Sequence, residues 1–278
     1  MLLAIDVGNT ETVVGLFTDD LIVPDDDSVP RDGTEPLGLA HHWRLSTVDV
    51  RTADEHALLI TQLLDLNGLD VNQTVTGIAV TSSVPQVTSS LRQMAGRWFD
   101  VPTVVLEPGI KSGMPILYDN PKEVGADRIA NAVGAYDLFG GPCVVVDLGT
   151  ATTWDAISPS GEYLGGAIAP GVAISLEALF AHAAALRRVE LVEPRSVIGK
   201  STVESIQSGT LYGYAGQVDG LCRRIAGVLG ECTVVATGGL SELIAPLLGR
   251  DRVRGAMADA AWPAHHLRPQ HRQVLRDR

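Results

Sequence analysis

Two stretches decide the fold: Leu3-Ala4-Ile5-Asp6-Val7-Gly8-Asn9-Thr10 and Val144-Val145-Val146-Asp147-Leu148-Gly149-Thr150. Each is an apolar run ending in Asp-x-Gly, followed by amide or hydroxyl side chains. The run reads as a strand and the glycine as a tight turn. Val13, Val14, Leu16 and Phe17 supply a return strand after the first turn, and residues 152–157 supply one after the second. One Asp-x-Gly turn is common, but two in matching context form an internal repeat. A third apolar run, 233–236, enters Thr237-Gly238-Gly239. The repeat predicts an α/β chain of two similar domains facing one another. The first, 1–118, carries the first turn; the second, 119–278, carries the second turn and the Gly-Gly segment.

Outward from these stretches, residues 42–45 read as a third strand. Thr52-Ala53-Asp54-Glu55 fits a capping box, and Ala57, Ile60, Leu63 and Leu64 supply a helical stripe to about residue 66. A strand at 75–80, a helix at 86–98 and a strand at 103–106 complete the first half. In the second, Ile129, Ala132, Val133 and Tyr136 form one helical face, which Gly140-Gly141-Pro142 ends. Strands are predicted at 143–146, 152–157 and 164–168, and helices at 172–186 and 203–227. Residues 19–38, rich in aspartate and proline, read as a long acidic loop. The tail 251–278 carries six arginines, three histidines and two prolines with no clear period, and reads as loosely packed.

The 278 residues are 45% hydrophobic and 19% charged, which is globular composition with length for real cores. No window of 18 uninterrupted apolar residues suggests a membrane span, and no basic, apolar leader precedes Asp6. The net charge of −12 disfavours sequence-independent binding to nucleic acid or an anionic membrane. Cys143, Cys222 and Cys232 form neither a zinc spacing nor a disulfide framework, which fits buried thiols in a cytoplasmic protein.

The first turn has phosphate-binding chemistry. Gly8 lets the backbone approach a ligand, while N–H groups, the Asn9 amide and the Thr10 hydroxyl can bond phosphate oxygens. Asp6 at the strand end can hold Mg²⁺, through water. A plain hairpin turn with an Asx bond explains the same residues equally well. The second turn repeats the logic with Thr150, Thr152 and Thr153, so that the pair would grip one polyphosphate. Gly238-Gly239 would let adenine lie on the backbone, or would simply turn a strand into a helix. Gly199-Lys200-Ser201 resembles the end of a P-loop, but Pro194 stands where that motif needs its first glycine. In Asn120-Pro121-Lys122-Glu123-Val124-Gly125-Ala126-Asp127-Arg128, Asp127 falls in a helix first turn, where an acid is favourable in any case. It could equally be a general base beside an arginine that holds a substrate carboxylate. Chemistry alone leaves both open. The histidines suggest neither a metal site nor a triad, and His41-His42 reads as a solvated strand edge.

With these residues in view, the chain resembles the acetate and sugar kinase, chaperone and actin superfamily, with its actin- and ribonuclease-H-like domains around a nucleotide cleft. Within it, NPKEVGADR, VVVDLGTATT, GGAIAPG and GKSTVESIQSG resemble type III pantothenate kinases, over roughly residues 1–245. The resemblance implies ATP-dependent phosphorylation of the pantothenate 4′-hydroxyl, the first step of coenzyme A synthesis, by a cytoplasmic homodimer. It implies ATP binding by Asp6, Val7, Gly8, Asn9, Thr10, Glu11, Thr12, Val13 and Thr150, with Mg²⁺. It implies Asp127 as the base, and pantothenate contacts from Tyr118, Gly125, Ala126, Asp127, Arg128 and Thr202. Asp147 would bind a monovalent cation, K⁺ or NH₄⁺. Two features depart from the family: the acidic loop is longer, and the tail lacks the usual closing strand and helix. A regulatory accessory protein without catalysis is the alternative class, and a different superfamily phosphotransferase or phosphohydrolase is a third. The Gly125–Arg128 segment argues against the third.

Overall fold

A computed structural model describes residues 1–18, 38–106, 112–183, 185–249 and 253–256, the last as backbone only. The chain forms two compact units that divide between Asp137 and Leu138. Most of the acidic loop, 19–37, and most of the tail lie outside the described residues.

In the first unit β1 (Leu2–Val7) lies between antiparallel β2 (Glu11–Phe17) and parallel β4 (Gly77–Ser82). β3 (Leu39–Ser46) and β5 (Thr103–Leu106) form the edges, giving the order β3-β2-β1-β4-β5. Alternation sends Leu3, Ile5 and Val7 to one face. There they meet Ala57, Ile60 and Leu64 of α1 (Ala53–Asp65), and Val87, Leu91 and Met94 of α3 (Pro85–Met94). On the other face, Leu2 and Ala4 pack with Phe17 and Ala79, and Leu106 packs with Ala126 and Ala130 of α4 (Ala126–Phe139). Both faces of β1 are covered, which is why its sequence is nearly continuously apolar. The expected capping box is present: Glu55 N–H donates to Thr52 Oγ1 at 3.3 Å and Thr52 N–H donates to Glu55 Oε2 at 2.8 Å. Such a cap stabilises a helix by about 1 kcal/mol. Edge strand β3 stacks His41 on Trp43, with ring centroids 5.7 Å apart.

The second unit repeats this topology. β6 (Cys143–Leu148) lies between antiparallel β7 (Ala151–Ile157) and parallel β9 (Thr233–Thr237). β8 (Tyr163–Pro170) and β10 (Val253–Ala256) are the edges. Val144, Val146 and Leu148 pack with Trp154 against Leu211, Ala215, Val218 and Cys222 of α6 (Thr202–Leu229) and Ile244 of α7 (Ser241–Ile244). On the opposite face Asp155 is fully buried, and accepts from Tyr163 Oη at 2.7 Å and Thr153 Oγ1 at 3.2 Å. α5 is Val172–His182. Cys143 and Cys222 are buried and Cys232 is half-buried, all three as free thiols; burial pushes the Cys143 thiol up to about 12. No helix among the described residues is long and apolar enough to cross a membrane.

The elements differ from expectation mostly at their ends. The predicted strand at 75–80 starts instead at Gly77, because Asp70 caps a short helix α2 (Val71–Thr74) whose C-cap is Val75. The helix predicted over 86–98 leaves α-geometry at Met94 and closes with a wider turn, Ala95–Phe99. Asp100 ends that turn at φ 46°. α5 stops at His182 rather than at residue 186. Within the tail, Val253–Ala256 pairs in parallel with β9, so this part of it is sheet. Four residues at an edge are too short to show a period.

His56 on α1 is 4% exposed, and burial, helped by Arg51, lowers its pKa from 6.5 to about 4. Well above pH 6.5 the folded and unfolded chains both hold it neutral. As pH falls toward 4 the unfolded chain takes up a proton that the folded chain refuses, so stability is lost on acidification. Between pH 7 and pH 5, His56→Leu is expected to lose about 2 kcal/mol less than wild type in urea unfolding. Parallel pH profiles for the two chains would refute this role.

Candidate active site

The first turn is held by a clamp from Thr47, the residue that follows β3. Thr47 Oγ1 donates to the Gly8 carbonyl at 2.7 Å and lies 2.9 Å from Thr12 Oγ1, while Thr47 N–H donates to the Thr10 carbonyl at 3.0 Å. Gly8 N–H donates to Glu11 O at 2.9 Å, which closes the turn. Asn9, Thr10 and Glu11 are exposed, whereas the side chains of Val7, Thr12 and Val13 are buried, so those three can offer a ligand only backbone. Glu11 pairs with Arg44 at 3.0 Å on the exposed strand surface.

Register fixes what surrounds Asp6. It stands opposite Val13 on β2 and Thr81 on β4, and Thr81 stands opposite Leu106 on β5. Leu106 packs on Ala126 and Ala130. The helix whose first turn carries Asp127 therefore packs on the face that bears Asp6, two strands away, or about 10 Å at ordinary strand spacing. Asp127 Oδ1 accepts from Arg128 N–H at 2.9 Å. A Cβ on Gly125 would collide with that oxygen, so the glycine leaves room for the carboxylate. Asn120 caps the preceding turn by accepting from Lys122 N–H at 3.3 Å. Arg128 is only 9% exposed, while Tyr118 is half-exposed on the preceding loop.

The second turn and the Gly-Gly segment pack directly against one another. Gly149 N–H donates to Ala151 O at 3.1 Å, Gly171 N–H to Thr150 O at 3.1 Å, and Leu240 N–H to Leu148 O at 3.3 Å. Gly238 has φ +92°, and a Cβ there would lie 2.5 Å from Asp147 Oδ1 and 2.6 Å from Leu148 N. A Cβ on Gly171 would strike the carbonyls of Gly149 and Thr150. Three chain segments thus meet around Asp147 with only hydrogen atoms at their glycine contacts.

Thr202 is elsewhere in the second unit. It is the first residue of α6, behind the N-cap Ser201, and lines a largely apolar cavity of about 460 Å³ with Leu176, Leu179 and Ile206. Gly199-Lys200-Ser201 is a cap rather than a phosphate loop. Ser201 Oγ accepts from Glu204 N–H at 3.2 Å, and Glu204 accepts from Lys200 N–H at 3.0 Å. The Lys200 bond and the Arg195 guanidinium hold the Glu204 carboxyl below its ordinary pKa. Among the described residues no cluster of His, Cys, Asp or Glu is suited to a metal.

Sequence reading missed Thr47 and Thr81, which reach the site only through strand register, and gave Gly171 no role of its own. Comparison with known proteins adds the decisive observation. The profile of type III pantothenate kinase matches residues 2–224. The chain belongs to the type III pantothenate kinase family. The Streptomyces griseus member is 52% identical over 252 residues, covering 88% of this chain and 89% of the relative. That of Saccharopolyspora erythraea is 54% identical over 250 residues, with 88% and 89% covered. Among solved structures, a Baf family transcriptional activator from Campylobacter jejuni aligns at TM-score 0.54 and 18% identity, covering 98% of each chain. The activator of 2-hydroxyisocaproyl-CoA dehydratase from Clostridium difficile, with bound ADPNP, aligns at TM-score 0.54 and 12% identity, covering 100% of this chain and 97% of that one. At these identities the two structures support the fold alone.

Gly238→Ala in this family member is expected to destabilise the second unit by about 1–3 kcal/mol, through the positive φ and the collision with Asp147. Chemical denaturation measures this; an unchanged midpoint would refute the packing described.

Proposed function

We propose that this chain transfers the γ-phosphate of ATP to the 4′-hydroxyl of pantothenate, the entry step of coenzyme A synthesis. The observation that carries the reading is the placement of Asp127, in a family of pantothenate kinases, on the helix that covers the Asp6 face of the sheet. The segment from Asp6 to Val13 and Thr150 bind ATP, which arrives with Mg²⁺ near Asp6. Tyr118, Gly125, Ala126, Arg128 and Thr202 bind pantothenate. In the reaction the acceptor oxygen forms its bond to the γ-phosphorus as the bond to ADP breaks, and Asp127 takes the hydroxyl proton. Phosphoryl transfer demands positioning and charge neutralisation more than covalent help, and the exposed Asn9 and Thr10 side chains of the first turn would contribute to positioning.

Asp147 is the residue we assign to a monovalent cation, K⁺ or NH₄⁺. The fit is local: Oδ1 sits in a cradle that a Cβ on Gly238 would fill. Such an ion offsets repulsion between the triphosphate and an acidic chain. The working form is a cytoplasmic homodimer, with Thr202 serving the pantothenate pocket near its interface.

Purified protein is expected to form 4′-phosphopantothenate from ATP and pantothenate, with rates that rise on adding K⁺ or NH₄⁺. No product from folded protein would favour an accessory, non-catalytic role. Asp127→Asn is expected to lower kcat by about 10²-fold or more while leaving ATP binding nearly intact. Wild-type turnover in that variant would remove Asp127 as the base.

A further inference from the structure

Thr81 is fully buried, and its Oγ1 has no hydrogen-bond partner among the described residues. Native structures rarely leave a buried hydroxyl unmatched, and each exception asks for a reason. Its setting narrows the choice. Thr81 lies near the C-terminal end of β4, opposite Asp6 on one side and Leu106 on the other. Side chains opposed in register share a face and stand within reach of one another. Leu106 offers nothing to a hydroxyl, so Asp6 is the polar neighbour in that row.

The internal repeat points the same way from an independent place. In the second unit Asp147 at the end of β6 stands opposite Thr237 on parallel β9, and Thr237 is 2% exposed. Each strand-end acid therefore has a buried threonine beside it on the neighbouring parallel strand. A β-branched side chain is stiff at χ1, so the threonine hydroxyl is held in place beside the carboxylate.

We propose that Thr81 is a positioning residue for Asp6. In the nucleotide-bound state its hydroxyl donates to the Asp6 carboxylate and fixes the rotamer that faces the magnesium-bearing triphosphate. The inference rests on the reading of Asp6 as a nucleotide-side acid. A bond that forms only in the bound state adds directly to affinity for the ligand and nothing to the stability of the empty protein.

The test uses the full-length chain and magnesium-ATP, with binding measured by calorimetry and melting measured without nucleotide. Thr81→Val keeps the shape and removes the hydroxyl. Its Kd for magnesium-ATP is expected to rise about ten-fold, the effect of losing a hydrogen bond to a charged group. Its nucleotide-free Tm is expected to stay equal or rise, because the lost hydroxyl has no partner among the described residues. Thr81→Ser restores the donor and is expected to bind within about two-fold of wild type, the remainder being packing of one methyl. Binding by Thr81→Val as tight as wild type overturns the inference alone. So does a lower nucleotide-free Tm in that variant, which would place the bond in the empty protein. A wild-type chain that binds no magnesium-ATP removes the reading of Asp6 and this inference with it.

Discussion

The constraint on which each unit depends is the register of its central strand. β1 pairs along all six residues with β2 on one side and β4 on the other, and β6 does the same with β7, with β9 alongside most of its length. Side chains alternate strictly between faces, so a slip of one residue would turn Asp6 into the core under α1 and α3 and lift Val7 out of it. Burial of Leu3, Ile5 and Val7 against those helices forbids the slip. The same register sets Asp6 between Val13 and Thr81, and the pairing of β2 with β3 brings Thr47, just past β3, onto the carbonyl of Gly8. The placement of the strand ends is thus secured by hydrophobic packing a few residues away.

Around both turns, backbone rather than side chains dominates. The bonds that close them run from the amides of Gly8, Gly149, Gly171 and Leu240 to carbonyls. These bonds use up the N–H groups that make them, so they fix the shape of the turns rather than offering donors to a ligand. The glycines at 171 and 238 are demanded by geometry: side chains there would occupy space taken by the second turn itself. The three acids Asp6, Asp127 and Asp147 each sit at the end or beginning of a regular element.

Much of this was legible in the sequence. The apolar alternation of the two central strands, and the Asp-x-Gly that ends each, gave the repeat, and both sheets bear it out with the same strand order. The capping box at Thr52 was readable because its partners are three residues apart. Contacts between distant segments were not. That Thr81 lies beside Asp6, or Gly238 against Asp147, depends on which parallel strands become neighbours and at what offset, and no local pattern encodes that. Element ends were blurred where a cap competes with the hydrophobic pattern, as Asp70 does before β4. Thr202 was tied to the pantothenate site only by resemblance; the fold sets it beside an apolar cavity between α5 and α6.

The way β2 hands over to β3 has a practical corollary. Phe17 pairs with Leu39, and Thr18 N–H donates to the Gly38 carbonyl at 2.8 Å. The two ends of the intervening acidic segment are therefore stapled together by the sheet, at the edge opposite α4. Closing a longer segment across such a staple costs only about 0.6 kcal/mol for each doubling of its length. This is a natural graft point: affinity handles or reporter peptides placed between residues 18 and 38 would be carried by the scaffold without asking the strand pairing at the first turn to change.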